Sequence, residues 1–122
     1  MSGSPEATGE LDAEDAKLVT LARATRARTS AAEGAAVRDD TGRTYTAASV
    51  ALPSLRLSAL RAAVVLAVSS GARSLEAAAV VRDAAAGALP GDDLSAVRDL
   101  GGASTPVFVA DGSGVVHATA RT

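Results

Sequence analysis

The sequence predicts an α/β domain, a mixed sheet with helices packed on both faces. Two observations carry that expectation. Short apolar runs bounded by turn residues read as strands, and three longer stretches with helical spacing stand among them. Their order is helix, two strands, helix, strand, helix, two strands, with no repeat or linker between them. A chain of 122 residues fits one such domain.

Residues 1–10 are rich in Ser, Gly, Pro and Glu and are expected to form a disordered tail, leaving 11–122 as the single domain. Asp12 is placed to cap a first helix, with Asp15 in its first turn and Arg23, Arg26 and Arg28 towards its C-terminal end, as the helix dipole favours. Leu18, Leu21 and Ala22 make its one apolar stripe. Ala35-Ala36-Val37 and Thr44-Tyr45-Thr46 flank Arg38-Asp39-Asp40-Thr41-Gly42-Arg43, which reads as a β-hairpin with Tyr45 packed inside it. Pro53-Ser54 is expected to end the second strand and open a central helix that closes at Gly71. Leu57, Leu60, Val64, Ala67 and Val68 form one face of that helix, and Ala63, Val65 and Leu66 leave the other face little more polar. Such a helix is buried on both sides, by a sheet and by a neighbouring subunit. Ala77-Ala78-Ala79-Val80-Val81 reads as a buried strand, 83–91 as a loop, and Asp92 to Arg98 as a short helix. Thr105–Val109 and Val115–Thr119 are strands joined by the tight turn Asp111-Gly112-Ser113-Gly114.

Composition excludes several classes. A formal charge of −2, with Tyr45 and Phe108 as the only aromatic residues, argues against nucleic-acid binding. No apolar run approaches the roughly 20 residues of a membrane span. The N-terminus lacks the basic and apolar regions of a leader, so a cytosolic location is expected. Without cysteine there is no disulfide, thiolate metal site or thiol nucleophile. The preference for Arg over Lys, with abundant Ala and Gly, looks like a high-GC bacterial coding bias. Apolar residues make up 48%, but much of that is alanine, which removes little area from water. The core is therefore either supplemented by burial between subunits or carried by Val and Leu in a monomer.

Three blocks together resemble the small cytidine deaminase family over about residues 16–119. Gly34-Ala35-Ala36-Val37 followed by Gly42-Arg43-Thr44-Tyr45-Thr46 is similar to G-A-A-L/V…D-G-x-x-Y-T. Arg61-Ala62-Ala63 leading to Ala67-Val68-Ser69-Ser70-Gly71 is similar to R-A-A-x-x-x-A-V-S-x-G, and Thr105 to Gly112 to T-P-V-Y-L-x-D-G. The resemblance implies a three-layer fold with a mixed five-stranded sheet, assembled as a homotetramer. Its chemistry uses a zinc-bound water that attacks C4 of cytosine and a glutamate that shuttles protons.

The family's C-A-E falls on Ser58-Ala59-Leu60, and P-C-x-x-C on Pro90-Gly91-Asp92-Asp93-Leu94. The ligand positions thus hold Ser58, Gly91 and Leu94, and the acid position holds Leu60. A hydroxyl is a poor zinc ligand, glycine and leucine have no side-chain donor, and leucine cannot carry a proton. The nucleoside-binding positions hold Ala31, Ser49 and Ala51. The expectation that follows is a catalytically inactive, non-enzymatic protein without cofactor, surviving as an oligomeric structural or interaction module with an unidentified protein partner. Alternatives are a small-ligand module, taking a nucleotide or an anion through Arg56 or Arg61, and an active deaminase. Arg56 and Arg61 are otherwise expected to bridge to acids such as Asp92 on the third helix or on a neighbouring subunit. Asp92 and Asp93 are read as complements to a helix dipole. Asp111, Ser113 and His117 lie in one hairpin whose turn is expected to keep them apart.

Overall fold

The computed structural model describes residues 11–122, and the tail expected over 1–10 lies outside them. Helix α1 (Ala13–Thr29) starts at Asp12, whose side chain accepts the backbone N–H of Asp15 at 2.8 Å. Strands β1 (Gly34–Asp39) and β2 (Thr44–Ala48) form the expected hairpin. At its turn Asp39 accepts the hydroxyl and amide of Thr41, the amide of Arg43 and the Tyr45 hydroxyl.

The next segment corrects the sequence reading. Pro53-Ser54 does not open a helix. It is the turn of a small separate hairpin, β3 (Val50–Leu52) with β4 (Leu55–Leu57). Proline fits the turn because it fixes φ and needs no ladder donor. Leu57 therefore ends a strand, and helix α2 (Ala59–Ser69) begins with Ser58 as its cap. Strand β5 (Leu75–Val81), a 3-10 turn (Ala84–Ala86), helix α3 (Gly91–Gly101) and strands β6 (Pro106–Ala110) and β7 (Val116–Arg121) complete the chain.

The main sheet is mixed, in the order β2-β1-β5-β6-β7, with β5 and β6 parallel and the other pairs antiparallel. Alternation along the strands sorts two cores. Ala35, Val37, Ala78, Val80 and Val107 face α2 and α3, meeting Leu60, Ala63, Ala67 and Val97. Ala36, Ala77, Ala79, Val81, Phe108 and Ala110 face α1, meeting Leu18, Val19 and Ala22. A strand shows opposite faces at successive residues, so a sheet covered on both sides needs apolar residues throughout. The alanine-rich sequence of β1 and β5 lets helices lie close on both faces. At Gly34 the approach is closest, since a Cβ there would stand 2.2 Å from the Ala22 carbonyl oxygen.

Among the described residues nothing covers the outer face of α2. Val65, Leu66 and Val68 are 44–54% exposed, as are Leu52 and Leu55 on the small hairpin. Among the described residues no helix is long and apolar enough to cross a membrane.

Candidate functional site

The heads of α2 and α3 come together at one end of the sheet, and the side chains there are polar. Ser58 caps α2: its hydroxyl oxygen accepts the Arg61 amide at 3.2 Å and donates its proton to Asp93 Oδ1 at 2.8 Å. Asp93, in the first turn of α3, is 2% exposed. Its Oδ2 is buried with no hydrogen-bond partner among the described residues. Burial pushes the Asp93 carboxyl above the usual aspartate range. The Ser58 hydrogen bond opposes that shift, the charge of Glu33 adds to it, and Arg61 and Arg82 oppose it.

Glu33 and Arg82 complete the arrangement. The register pairs Gly34 of β1 with Val81 of β5, which sets the residue before one strand beside the residue after the other. Glu33 Oε2 accepts Arg82 Nε at 3.0 Å, and Oε1 accepts the Ala59 amide at the head of α2 at 3.2 Å. Arg82 Nη1 donates to the Gly87 carbonyl at 2.8 Å. The first amides of a helix have no intrahelical acceptor and carry the positive end of its dipole. At α2 the Glu33 carboxylate and the Ser58 hydroxyl oxygen each accept one of these amides.

The sequence-predicted positions distribute as follows. Ser58 joins α2 to α3 through Asp93. Leu60 is fully buried, and Leu94 packs from the side against the same core. Gly91 is the first residue of α3 and is exposed, with open space where a Cβ would stand. Ser49 braces the approach to β1, donating its amide to the Glu33 carbonyl and accepting the Glu33 amide with its hydroxyl. Ala51 lies exposed on β3, paired with Arg56 of β4. Ala31 lines a separate cavity of about 370 Å³ with Arg23, Arg26 and Val81. Arg56 is exposed on β4, and neither it nor Arg61 makes an ion pair among the described residues. Arg61 acts on Asp93 only through its charge, and neither arginine bridges to Asp92 within the described residues of the chain.

Asp111, Ser113 and His117 do meet, contrary to expectation. Asp111 accepts the Ser113 hydroxyl on one oxygen and faces His117 Nε2 with the other, each at 2.5 Å. A β-bulge between Val109 and Ala110 helps bring His117 round to the turn. The aspartate sits between the other two, so His117 is not placed to take a proton from Ser113 and no hydrolytic triad results. Asp111 is held well below the usual carboxylate range by Ser113 first and His117 second.

The donor chemistry does not fit a zinc ion held at the three expected positions. A cap serine already committed to Asp93, a glycine and a core leucine offer no set of metal-ligating atoms. Even so, the site is not the patch of hydrocarbon that the aligned positions imply. Asp93 was read only as a complement to the helix dipole, and Glu33 and Arg82 escaped the motif alignment because neither falls on a family ligand position. Their signal was an acid just before one apolar strand and a base just after another.

A family model described as "Cytidine deaminase-like" matches residues 11–114. Three solved structures share the fold. A cytidine deaminase from Burkholderia pseudomallei has a TM-score of 0.74 at 24% identity, covering 86% of this chain and 90% of that one. The Mycobacterium leprae cytidine deaminase has a TM-score of 0.67 at 20% identity, with coverage of 86% and 90%. The Mycobacterium tuberculosis cytidine deaminase has a TM-score of 0.64 at 28% identity, covering 75% of this chain and 80% of that one. No curated protein sequence matches. These findings overturn the expectation of an inactive, non-enzymatic module: the structures sharing the fold are enzymes. The expected loss of family ligand residues does not establish inactivity in a site that carries the buried Asp93 carboxyl and the Glu33 carboxylate.

Proposed function

Since this chain belongs to the cytidine deaminase-like family, we propose that it acts on a nucleoside of the cytidine class, removing the exocyclic amine by hydrolysis. The substrate would approach the shared head of α2 and α3. Supporting this is the likeness to three cytidine deaminases. The observation that carries it is Asp93, a buried acid with one oxygen bonded to Ser58 and the other without a partner, at the head of a helix.

Water adds to the ring carbon bearing the amine, the carbon–nitrogen bond breaks, ammonia leaves, and a ring carbonyl remains. Both protons of the water must move, one to the ring nitrogen N3 and one to the departing nitrogen. Asp93 suits that transfer because its raised pKa brings it nearer to the range where a carboxyl both gives and takes a proton. Ser58 fixes its orientation, and Glu33 and Arg82 set the field around it. We infer that zinc is not resident at Ser58, Gly91 and Leu94, and no step here uses it. Proton transfer by a positioned side chain contributes about 10²–10⁴-fold, so turnover is expected to be slow.

The test is release of uridine from cytidine and of deoxyuridine from deoxycytidine, each with ammonia, followed by chromatography with wild-type protein and Asp93→Asn. Equal amounts of both products, lost in the variant, support the proposal. No product from either nucleoside, or equal rates in the two proteins, would refute it.

We also infer that further copies of the chain cover Val65, Leu66 and Val68 in a homotetramer working in the cytosol. These side chains are about half exposed on one helix face, an unusual cluster for a surface helix. Light scattering should give four times the chain mass, and Leu66→Glu should lower it. A monomeric wild type would contradict the inference.

A further inference from the structure

We propose that the Arg82 guanidinium serves as the resident cation of this site, holding together by hydrogen bonds and charge the elements that a metal would otherwise join. The inference rests on the zinc-free reading above and is independent of the substrate. Arg82 reaches Glu33 through Nε and the Gly87 carbonyl, in the loop before α3, through Nη1. Glu33 in turn accepts the first amide of α2, and Ser58 and Asp93 close the circuit from α2 back to α3. One cation and two acids thus fasten the start of β1, the end of β5, the loop before α3 and both helix heads.

Charge balance shows why a cation belongs there. Two acids stand at the joined helix heads, Glu33 on the Ala59 amide and Asp93 on the Ser58 hydroxyl, and a cation beside Glu33 offsets their charge. The side chains of Arg82 and Glu33 are only 12% and 15% exposed, so solvent screens the pair little. A guanidinium also suits the geometry, since its rigid fork donates in several directions at once to a carboxylate and a carbonyl. A second cation placed among these groups would be repelled by the first.

The test measures metal content and thermal unfolding of wild type, Arg82→Met, Glu33→Gln and the double variant, with and without a strong chelator. Zinc well below one equivalent per chain and no chelator effect on Tm are expected in wild type. Arg82→Met should lower Tm by roughly 10 °C, because it leaves the mostly covered Glu33 carboxylate without its cation. The double variant should lose less than the sum of the single losses, since neither charge then remains unpaired. One equivalent of zinc whose removal lowers Tm would overturn the proposal, as would Arg82→Met unfolding at the wild-type temperature. Should Arg82→Met fail to fold, hydrogen exchange at the Ala59 amide decides. Faster exchange in Glu33→Gln than in wild type supports the clamp, and equal rates refute it. Loss of cytidine turnover alone would leave these readouts unchanged, so the two proposals can fail separately.

Discussion

Replacing Asp93 tests whether a buried carboxyl, and not an inert cap, joins the two helix heads. Asp93→Ala removes the acceptor 2.8 Å from the Ser58 hydroxyl and empties a site that is 2% exposed. Stranding that hydroxyl costs about 1–3 kcal/mol, a fall in Tm of several degrees for a chain of this size. Asp93→Asn keeps the shape and an acceptor, so its effect depends on pH. The folded-state pKa of Asp93 lies above the ordinary value of 3.8. Between the two values the folded state binds more protons than the unfolded state, so wild-type stability falls as pH rises from 3.8 to the raised pKa. Above that window the loss is complete and constant. The asparagine variant lacks this titration, so its Tm relative to wild type should climb across the window and then level. Thermal unfolding by circular dichroism from pH 3 upwards reads the difference. A flat difference, or one that falls with pH, would refute the assignment of Asp93 as a carboxyl disfavoured by burial.

Three further outcomes are expected. Leu60→Ala should cost about 2–5 kcal/mol in chemical denaturation, because a fully buried side chain leaves a cavity between α2, β5 and Val97. Gly34→Ala should destabilise by about 1–3 kcal/mol or prevent folding, since its methyl would meet the Ala22 carbonyl oxygen, and urea titration reads the loss. Burial pushes Asp39 up, but hydrogen bonds led by those of Thr41 and Tyr45 overcome it and leave the carboxyl at about 2. Its contribution to stability is therefore present above 3.8 and lost as pH falls through about 2, so Asp39→Asn should differ from wild type at neutral pH and converge with it in acid.

The fold was legible where physical pattern and turn chemistry agreed. Asp12 and Asp15 announced α1, and the Asp39–Arg43 turn announced the first hairpin. Ala77 to Val81 read as a strand although alanine is a poor strand former, because covered sheet faces select for small apolar residues here. The small hairpin at 50–57 was missed because a proline and serine followed by leucines look like the start of a helix as much as a turn between strands. In the site, alignment pointed to Ser58 and to the start of α3, two of the elements that meet there. It could not find Glu33 and Arg82, whose meeting depends on antiparallel register across residues 49 apart in sequence. The same blindness turned missing ligands into an expectation of inactivity.

A crystal structure of protein grown with added zinc and soaked in a cytidine analogue tests the account most directly. It should show the analogue at the heads of α2 and α3 beside Asp93, with Arg82 still on Glu33 and no metal between the helices. Metal density on Ser58 and its neighbours, or an analogue bound only elsewhere, would contradict it.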